Sequence, residues 1–563
     1  MKFDKILLGL GLLGILVGCG GTPETSAKVN NPNDDGTITE QDKTYPSTIN
    51  ESFDYDDLLS GEYDQNKWYK NELKSVPLPD PQVLTVQENG QEVYYIYGTC
   101  DRTGSKRLDC YRTTDFNTFE CYQNIDQLNE NSWSNCDSRS RFAPEVYEID
   151  GTYYLYYSDV HKDNGRRYIS VMTSDKPTGP FIEYNNAEDA VFKHNDEIGL
   201  DALDQTIFID DDGKMYMYYS IYHTSVMQYI VGVELTSPTV ADWSTYKILV
   251  RPGELSPNTL TTNFLTWEAY KGFKVAEGPF MLKSPNGKYY LTYSVNHYPD
   301  RYYTVCYAFS DSPLGDYEKP FEKNAQWTNL LFGYAGGKTG KVYNQWDGFM
   351  SGTAHHCFFK IGDQTMIGYH AHKDRSTSDN GRMFGMDYIF FDEEGVPYSR
   401  GPTSSIQPLP EQISGYKNIA AEAEIHAENI DNPERLVDNY VVEHYHLQQE
   451  QDKEATIKAG KSYVELVFDV DKYTVGGIVI YNSAFFDKIM IDPVSYVNLQ
   501  NGNALVNGSF NDFYIDFDKE FVMPGSAYTF DFSDVKTDRI VIEFDVEQEV
   551  ALNEIVVLGY ENE

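Results

Sequence analysis

The chain is poor in positive charge. It has 45 Lys and Arg residues against 87 Asp and Glu residues, which gives a formal net charge of −42 over 563 residues. Proteins that bind nucleic acid or anionic membrane surfaces carry basic patches, so this balance argues against both as partners. It also disfavours strongly polyanionic substrates. The length exceeds that of one ordinary domain and predicts at least two.

Cysteine is scarce as well, with seven residues in the chain. No CxxC pair and no His/Cys cluster has zinc spacing, so the sequence excludes a zinc site. Four cysteines lie close together and predict one or two disulfides in an exported chain, with three pairings open: Cys100, Cys110, Cys121 and Cys136. Cys306 and Cys357 lie in strand-like runs and are expected to be buried apolar side chains.

The apolar run at the start of the chain, residues 6–18, is too short for a membrane span and predicts a secretory signal. The stretch "LVGC" resembles a bacterial lipobox, which implies cleavage and lipidation of Cys19. An ordinary signal peptide is the alternative. The first interpretation predicts export and lipid anchoring to a bacterial membrane, at the cell surface or in the periplasm. Residues 20–59 are polar and predict a flexible tether and lead-in.

Aromatic residues and glycine are abundant, with 46 Tyr, 30 Phe and 42 Gly. Aromatic side chains suit pleated, half-buried surfaces, so this composition predicts an all-β protein. Aromatic rings also provide faces on which sugars stack, although core packing accounts for most of them.

Five segments repeat one design, which is a polar residue, an apolar strand, a tight turn and a Tyr-rich strand. They begin at Asp80, Ala143, Asp204, Glu277 and His355, and their turns read "ENGQ", "IDGT", "DDGK", "PNGK" and "IGDQ". Gly, Asn and Asp supply the positive φ that tight hairpins need. A recurrence of about 60–75 residues suits propeller blades with loops, so we predict a five-bladed β-propeller over residues 60–405.

In a propeller the first strand of each blade lines the central channel. The leading polar residues of the five repeats are therefore expected to converge at one end of the axis: Asp80, Glu145, Asp204, Glu277, and His355 or His356. Four carboxylates in five such positions predict one shared acidic pocket.

At these residues the chain resembles glycoside hydrolase family 43, the inverting glycosidases built on a five-bladed propeller. The resemblance rests on the order and spacing of "PDP" (79–81), "FAPEV" (142–146), "LDQTIFIDDDGK" (203–214), "AEGPF" (276–280) and "GTAHHCFF" (352–359). It implies that Asp80 is the general base, that Glu277 is the general acid, and that Asp204 orients the acid and raises its pKa. Gln205 stands where the family usually has proline, and Phe142 where it usually has Trp.

The resemblance also implies residues around the substrate. Phe142 is expected to stack on sugar, Glu145 to bond sugar hydroxyls, and Arg382 to reach the substrate; a rim carboxylate and a structural arginine are the alternatives for the last two. His355 aligns with a central histidine that in some members holds calcium. The alternatives are a hydrogen-bonded channel residue without metal, or His356 in its place if the register slips by one residue. No cofactor is required.

After the linker-like stretch 401–412 the patterning restarts, and residues 413–563 contain alternating strands. Their order resembles a discoidin or coagulation-factor type C β-sandwich, which implies either a carbohydrate-binding module or a structural domain.

Together these features predict an inverting glycoside hydrolase for plant cell-wall polysaccharide side chains or oligosaccharides, of α-L-arabinofuranosidase or β-xylosidase type. An endo-arabinanase or exo-galactanase of the same family is the alternative within this class. A non-catalytic glycan-binding lipoprotein is the alternative outside it, and it predicts loss of at least one of the three carboxylates. The membrane is expected as a partner only through the anchor.

Overall fold

The computed structural model describes most of the chain from residue 63 onwards. The described residues are 63–71, 75–99, 107–135, 141–187, 189–193, 200–224, 227–257, 265–300, 303–321, 328–333, 350–373, 381–399, 401–403, 405–440, 453–469, 472–482, 496–501, 504–508, 527–546 and 548–562. The predicted signal, Cys19 and the tether lie outside them, as do Cys100 and Cys136. Among the described residues no helix has the length and apolar character needed to cross a membrane.

Strand β1 (Trp68–Tyr69) comes first. The described residues then form five sheets in chain order, which we call blades 1 to 5. Blade 1 contains β2 (Gln82–Glu88), β3 (Gln91–Tyr97), β4 (Asp109–Thr113) and β5 (Glu120–Gln123). Blade 2 contains β6 (Asp126–Gln127), β7 (Phe142–Ile149), β8 (Thr152–Val160), β9 (Arg167–Ser174) and β10 (Phe181–Glu183), with β6 pairing in parallel with β10.

The next three blades each have four strands in sequential order. Blade 3 contains β11 (Asp201–Ile209), β12 (Met215–Thr224), β13 (Met227–Ser237) and β14 (Val240–Val250). Blade 4 contains β15 (Ala276–Lys283), β16 (Tyr289–Val295), β17 (Thr304–Ser310) and β18 (Leu330–Phe332). Blade 5 contains β19 (Met350–Ile361), β20 (Gln364–Lys373), β21 (Arg382–Phe391) and β22 (Pro397–Ser399). Short 3-10 helices follow β10 (Tyr184–Ala187) and precede β15 (Thr266–Gly272).

The first full-length strands of the blades contact one another in a closed ring. β2 contacts β7, β7 contacts β11, β11 contacts β15, β15 contacts β19, and β19 contacts β2. This is the arrangement of a β-propeller, in which each inner strand lines the axis. The predicted hairpins are confirmed, and Asn89 and Gly90, for example, both have positive φ in the turn between β2 and β3.

The strands from Lys417 onwards form two sheets packed face to face. After β23 (Gln407–Pro408) and the one-turn helix α1 (Glu411–Ser414), the strands are β24 (Lys417–Asn418), β25 (Glu424–Glu428), β26 (Ile430–Asp431), β27 (Ala455–Ile457), β28 (Gly460–Val467), β29 (Tyr473–Asn482), β30 (Tyr496–Asn501), β31 (Ala504–Gly508), β32 (Ala527–Lys536), β33 (Arg539–Val546) and β34 (Val550–Glu561), with 3-10 turns at Ala420–Glu422 and Pro433–Leu436. One core fills the space between the sheets and includes Leu466, Ile480, Ile542 and Ile555. The unit is therefore a β-sandwich.

A seam joins the propeller to the sandwich. β1 pairs with β23, and Trp68 is fully buried in a cluster with Val479 and Tyr481 of the sandwich. A Cβ atom at Gly477 would lie 2.3 Å from the Trp68 ring, so only glycine fits there. Lys67 adds an ion pair of 2.6 Å to Asp531. The two units are thus packed through apolar and charged contacts.

The cysteines divide as follows. Cys306 and Cys357 are buried, as predicted. Cys110 is a buried free thiol, so a pairing of all four clustered cysteines is wrong. Its strand partner is Tyr122, whereas Cys121 pairs with Tyr111 and therefore lies on the other face of the hairpin.

Candidate active site

Each inner strand of the propeller contains a residue with positive φ or, in blade 1, begins two residues after one. These residues are Asp80 (φ 56°), Ala143 (41°), Asp204 (54°), Gly278 (52°) and His355 (45°). In blades 2 to 5 the strand register breaks at the same place, as between Leu203 and Thr206 or between Glu277 and Phe280. Such bulges re-aim side chains next to sites. The bulges also show that the predicted leading residues are not equivalent in all blades. Glu277 lies one residue before its bulge at Gly278, and Glu145 lies two residues after its bulge at Ala143.

The structure brings the three predicted catalytic carboxyl groups together. Asp80, Asp204 and Glu277 are all buried, with 6–9% of each residue exposed. The Gly278 N–H donates to Oδ2 of Asp204 at 3.3 Å, so the peptide after Glu277 is tied to Asp204. Burial and the charges of Glu277 and Asp80 raise the pKa of Asp204. Such electrostatic coupling requires the three groups to be close neighbours.

Asp80 is surrounded by nitrogen atoms. Its Oδ1 accepts a hydrogen bond from Arg382 Nη1 at 2.9 Å and lies 3.3 Å from His355 Nδ1 and 3.4 Å from His370 Nδ1. Burial acts to raise the pKa of Asp80, but the positive charge of Arg382, with a smaller contribution from His355, holds that pKa well below its usual range. Asp80 is therefore ionised at neutral pH and can accept a proton.

Glu277 has the opposite character in the same pocket. Burial, together with the charge of Asp80, raises its pKa to about 7, although the hydrogen bonds from Tyr303 and Gln228 favour the ionised form. The Tyr303 hydroxyl donates to Oε1 of Glu277 at 2.9 Å. Burial is thus the largest cause of the raised pKa of Glu277, whereas the resemblance implied that the charge of Asp204 raises it. Glu277 keeps a proton near neutral pH and can donate it.

Arg382 and His355 both contact the Asp80 carboxylate. Arg382 is 8% exposed and also covers the ring of Tyr298, 5.0 Å from its centre, so the structure gives this arginine a partner within the pocket. His355, and not His356, is the histidine that contacts Asp80. His356 contacts Thr292 Oγ1 through Nε2 at 2.6 Å, between blades 5 and 4, so the alternative register is wrong.

The donors around His355 do not form a protein cage for calcium. Calcium takes six to eight oxygen ligands, whereas the carboxylate beside His355 already accepts a hydrogen bond from Arg382. In the part of the chain that the structure describes, no group of three or more His, Cys, Asp or Glu residues could hold a metal ion. Calcium at His355 stays a prediction that needs ligands from water.

Phe142 lies beside a charged group. The Arg167 guanidinium stands over the Phe142 ring, 5.8 Å from its centre, and over the Tyr222 ring, 5.6 Å from its centre. Arg167 Nη1 also lies 3.3 Å from Asp201 Oδ2. Its charge acts on Asp204, so this group borders the pocket. A sugar stacked on Phe142 must share that ring with Arg167.

Glu145 is buried, whereas a rim carboxylate would be exposed. It is 8% exposed, and its Oε2 accepts a short hydrogen bond from the hydroxyl of Tyr147, which in turn accepts the N–H of Ile207. Burial raises the pKa of Glu145 to about 8. The groups that act on this pKa are Tyr147 and Thr206, and the three catalytic candidates are not among them.

The pocket residues that were missed from the sequence include Tyr303, His370 and Arg167. His370 lies on the second strand of blade 5 and Arg167 on the third full-length strand of blade 2. The sequence repeats of these strands indicated only their aromatic core positions. The alternation in "YHAHK" (369–373) was an available indication for His370, because alternate residues of a strand share one face. Tyr303 comes from a loop, and sequence periodicity gives no information there.

Residues 69–397 match the family model described as glycosyl hydrolases family 43. A β-D-galactofuranosidase of Aspergillus niger is 26% identical over 314 residues, covering 54% of this chain and 77% of that protein. A xylosidase/arabinosidase of Bacteroides ovatus is 27% identical over 182 residues, covering 30% of this chain and 51% of that protein. The chain thus spans only about half the length of the second relative. The solved structure of a thermostable family-43 glycoside hydrolase is 24% identical, with 61% of this chain and 99% of that chain covered at a TM-score of 0.49.

Proposed function

The chain belongs to glycosyl hydrolase family 43 and is a glycoside hydrolase, and from this premise we propose that it cleaves its substrate with inversion, using Asp80 as base and Glu277 as acid. The observation that carries the proposal is the different surroundings of two buried carboxyl groups in one pocket, because Asp80 contacts the Arg382 guanidinium whereas Glu277 has a tyrosine hydroxyl as its partner. Burial raises the pKa of Glu277 to about 7, whereas Arg382 and His355 hold that of Asp80 well below its usual range. An acid and a base are therefore available together near neutral pH.

The step follows from these protonation states. Asp80 takes a proton from a water molecule, and the water oxygen forms a bond to the anomeric carbon as Glu277 gives its proton to the leaving oxygen. The glycosidic C–O bond breaks, and the sugar is released with the opposite anomeric configuration. Asp80 is then protonated and Glu277 ionised, and exchange with solvent restores both. Inversion needs carboxyl groups about 6.5–9.5 Å apart so that this water fits.

For the substrate we propose α-L-arabinofuranosides or β-D-xylosides of plant cell-wall polysaccharides or oligosaccharides. The support is the name of the Bacteroides ovatus relative, a xylosidase/arabinosidase. A β-D-galactofuranoside is the second candidate, because the relative with the longer matched stretch is named a β-D-galactofuranosidase. That sugar shares the five-membered ring of arabinofuranose.

The proposal is tested by comparing wild type with Glu277→Gln and Asp80→Asn on two classes of substrate. A dinitrophenyl glycoside has a leaving group that needs no proton, whereas an oligosaccharide needs one. We expect Glu277→Gln to lose activity of about 10²–10⁴-fold on the oligosaccharide and much less on the dinitrophenyl glycoside. Asp80→Asn should lose heavily on both.

Arabinofuranoside, xyloside and galactofuranoside versions of the dinitrophenyl substrate identify the sugar. If Glu277→Gln loses equally on good and poor leaving groups, its role as the acid is wrong. If wild type cleaves none of the three sugars, the proposed substrates are wrong.

The remaining predictions are proposals about the whole chain. We propose that the five blades complete the propeller within residues 60–405, and that the sandwich of residues 413–563 is of discoidin type, as a carbohydrate-binding or structural domain. Lipidation at Cys19 would tether the enzyme to a bacterial membrane through residues 20–59. Calcium at His355, if bound, would be structural.

A further inference from the structure

The N–H groups of the positive-φ residues on the inner strands are hydrogen-bonded in a repeated pattern around the propeller. At four of the five blade junctions in the described residues, this N–H donates to a side chain of the preceding blade. The pairs are Ala143 to Thr99 Oγ1 (2.8 Å), Gly278 to Asp204 Oδ2 (3.3 Å), His355 to Ser294 Oγ (2.8 Å) and Asp80 to His370 Nδ1 (3.1 Å). The last bond lies at the junction where the propeller closes, between blade 5 and blade 1.

The acceptor at that closing bond is unlike its equivalents. On the second strands, Ser158, Ser220 and Ser294 are the partners of Phe142, Leu203 and Glu277, and Thr99 faces Pro79 in blade 1. In blade 5 the corresponding partner of Ala354 is His370. Four hydroxyl side chains and one imidazole therefore share one position. The imidazole stands at the junction that carries Asp80.

We propose that His370 is a positioning residue for the reaction, which fixes the backbone of Asp80 and its separation from Glu277. The inference deepens the proposed function and rests on it. His370 Nδ1 accepts the Asp80 N–H, and its ring stacks on Tyr303 with ring centres 5.7 Å apart and planes 21° apart. The Tyr303 hydroxyl in turn donates to Oε1 of Glu277. One rigid ring thus lies between the base and the group that holds the acid.

An imidazole suits this place better than a hydroxyl. His370 is fully buried, and burial lowers its pKa to about 3, so it stays neutral over the working range. The hydrogen bond from the Asp80 N–H requires the tautomer whose proton is on Nε2, which leaves Nδ1 as the acceptor. A hydroxyl can rotate and donate to the Asp80 carboxylate instead, which would release the backbone N–H. The imidazole has no such rotor, so the positive φ of Asp80 is held in one state.

Two amide substitutions separate the hydrogen bond from the ring. In His370→Asn the amide oxygen can occupy the place of Nδ1 and accept the Asp80 N–H, whereas in His370→Gln it reaches the place of Nε2. We expect kcat of His370→Asn within about threefold of wild type, and kcat of His370→Gln lower by about 10–100-fold, because small displacements of a catalytic group have effects of that size. Thr99→Val, which removes the corresponding bond at Ala143, should keep kcat.

Hydrogen exchange of the Asp80 amide in the full chain gives a readout that does not depend on activity. We expect exchange at Asp80 to be at least about tenfold faster in His370→Gln and unchanged in His370→Asn. The inference is overturned if both amide variants lose kcat equally, if neither does, or if Asp80 exchanges alike in both. A wild type that cleaves no glycoside would instead refute the proposed function. The exchange rates would still show whether His370 holds the Asp80 N–H.

Discussion

At the scale of single residues, the pocket gives two carboxyl groups different chemistry through their nearest neighbours. Asp80 lies against Arg382 and two histidines, whereas Glu277 is buried and accepts a hydrogen bond from Tyr303. The Arg382 contact was considered from the sequence as a contact to substrate. Because Arg382 contacts Asp80, any contact that it makes to the substrate also affects the pKa of the base.

Tyr303→Phe tests the balance at Glu277. The Tyr303 hydroxyl stabilises the ionised form, so its removal raises the pKa of Glu277 further above its value of about 7. The acid then stays protonated to higher pH. We expect the basic limb of the kcat/KM profile to move upwards by about one unit, since a hydrogen bond to a charged group contributes about 1.5–3 kcal/mol. A basic limb that stays in place, or moves down, would contradict the assignment of Glu277 as the acid.

Glu145→Gln tests whether the buried Glu145 is held protonated. Its pKa is about 8 in the folded state and near 4.5 when exposed, so its contribution to the free energy of unfolding is complete below pH 4.5 and is lost as pH rises through about 8. Gln has no such dependence. We expect the melting temperature of Glu145→Gln, relative to wild type, to rise between pH 5 and pH 8.

A difference in melting temperature that does not change with pH would refute this description of Glu145. The same variant tests the earlier expectation of a sugar contact. If Glu145 bonds substrate hydroxyls, KM rises in Glu145→Gln; if it only bonds Tyr147, KM stays close to that of wild type.

At the scale of elements, the bulges of the inner strands determine which side chains meet at the axis. The hairpins were predictable, because alternation and tight-turn residues are written in the sequence. The bulges were not, because a non-glycine residue with positive φ, such as Ala143, Asp204 or His355, has no sequence pattern of its own. The carboxylate trio was therefore found only through the family resemblance and the repeat, and His370 was missed.

Gly278→Ala tests the bulge after Glu277. Gly278 has φ +52°, and a Cβ there would lie 3.1 Å from the His355 ring. We expect a loss of about 1 kcal/mol or more in the free energy of unfolding, together with a fall in kcat because Glu277 moves. Gly287→Ala is the matched control, since Gly287 has φ +86° in a turn with nothing within 4 Å of the added Cβ.

Gly287→Ala should lose similar stability and keep kcat. Equal kcat in the two glycine variants would show that the Gly278 bulge does not position the acid. Thermal denaturation and initial rates on one aryl glycoside are the two measurements required.

At the scale of the whole molecule, the propeller and the sandwich share a buried seam. The N-terminal segment contributes to both sides, because Asn71 bonds the backbone of Met386 and Thr403 in the blade 5 region, while Trp68 packs on Gly477 of the sandwich. The two units and their order were predictable from the change in patterning. The seam was not, because residues far apart in sequence form it without a repeated pattern.

Trp68→Ala tests the seam. Removing a buried Trp side chain costs about 3–5 kcal/mol, and here the lost contacts join the two units. We expect the sandwich to become separable, so that limited proteolysis cuts between propeller and sandwich. Trp133→Ala removes an equally buried ring from the core of blades 1 and 2. It should lower the melting temperature without promoting that cut, and cleavage between the units in both variants would contradict the seam.

The central claim is that Asp80 activates a water molecule opposite the leaving group, while Glu277 protonates the oxygen of the leaving group. The most direct measurement is proton NMR of the first anomer released by wild type from a substrate that it cleaves, recorded before mutarotation. Inversion predicts that the product first appears with the anomeric configuration opposite to that of the substrate. A first product that retains the configuration would require a nucleophile bonded to the sugar, and would contradict the role of Asp80 as a base acting through water.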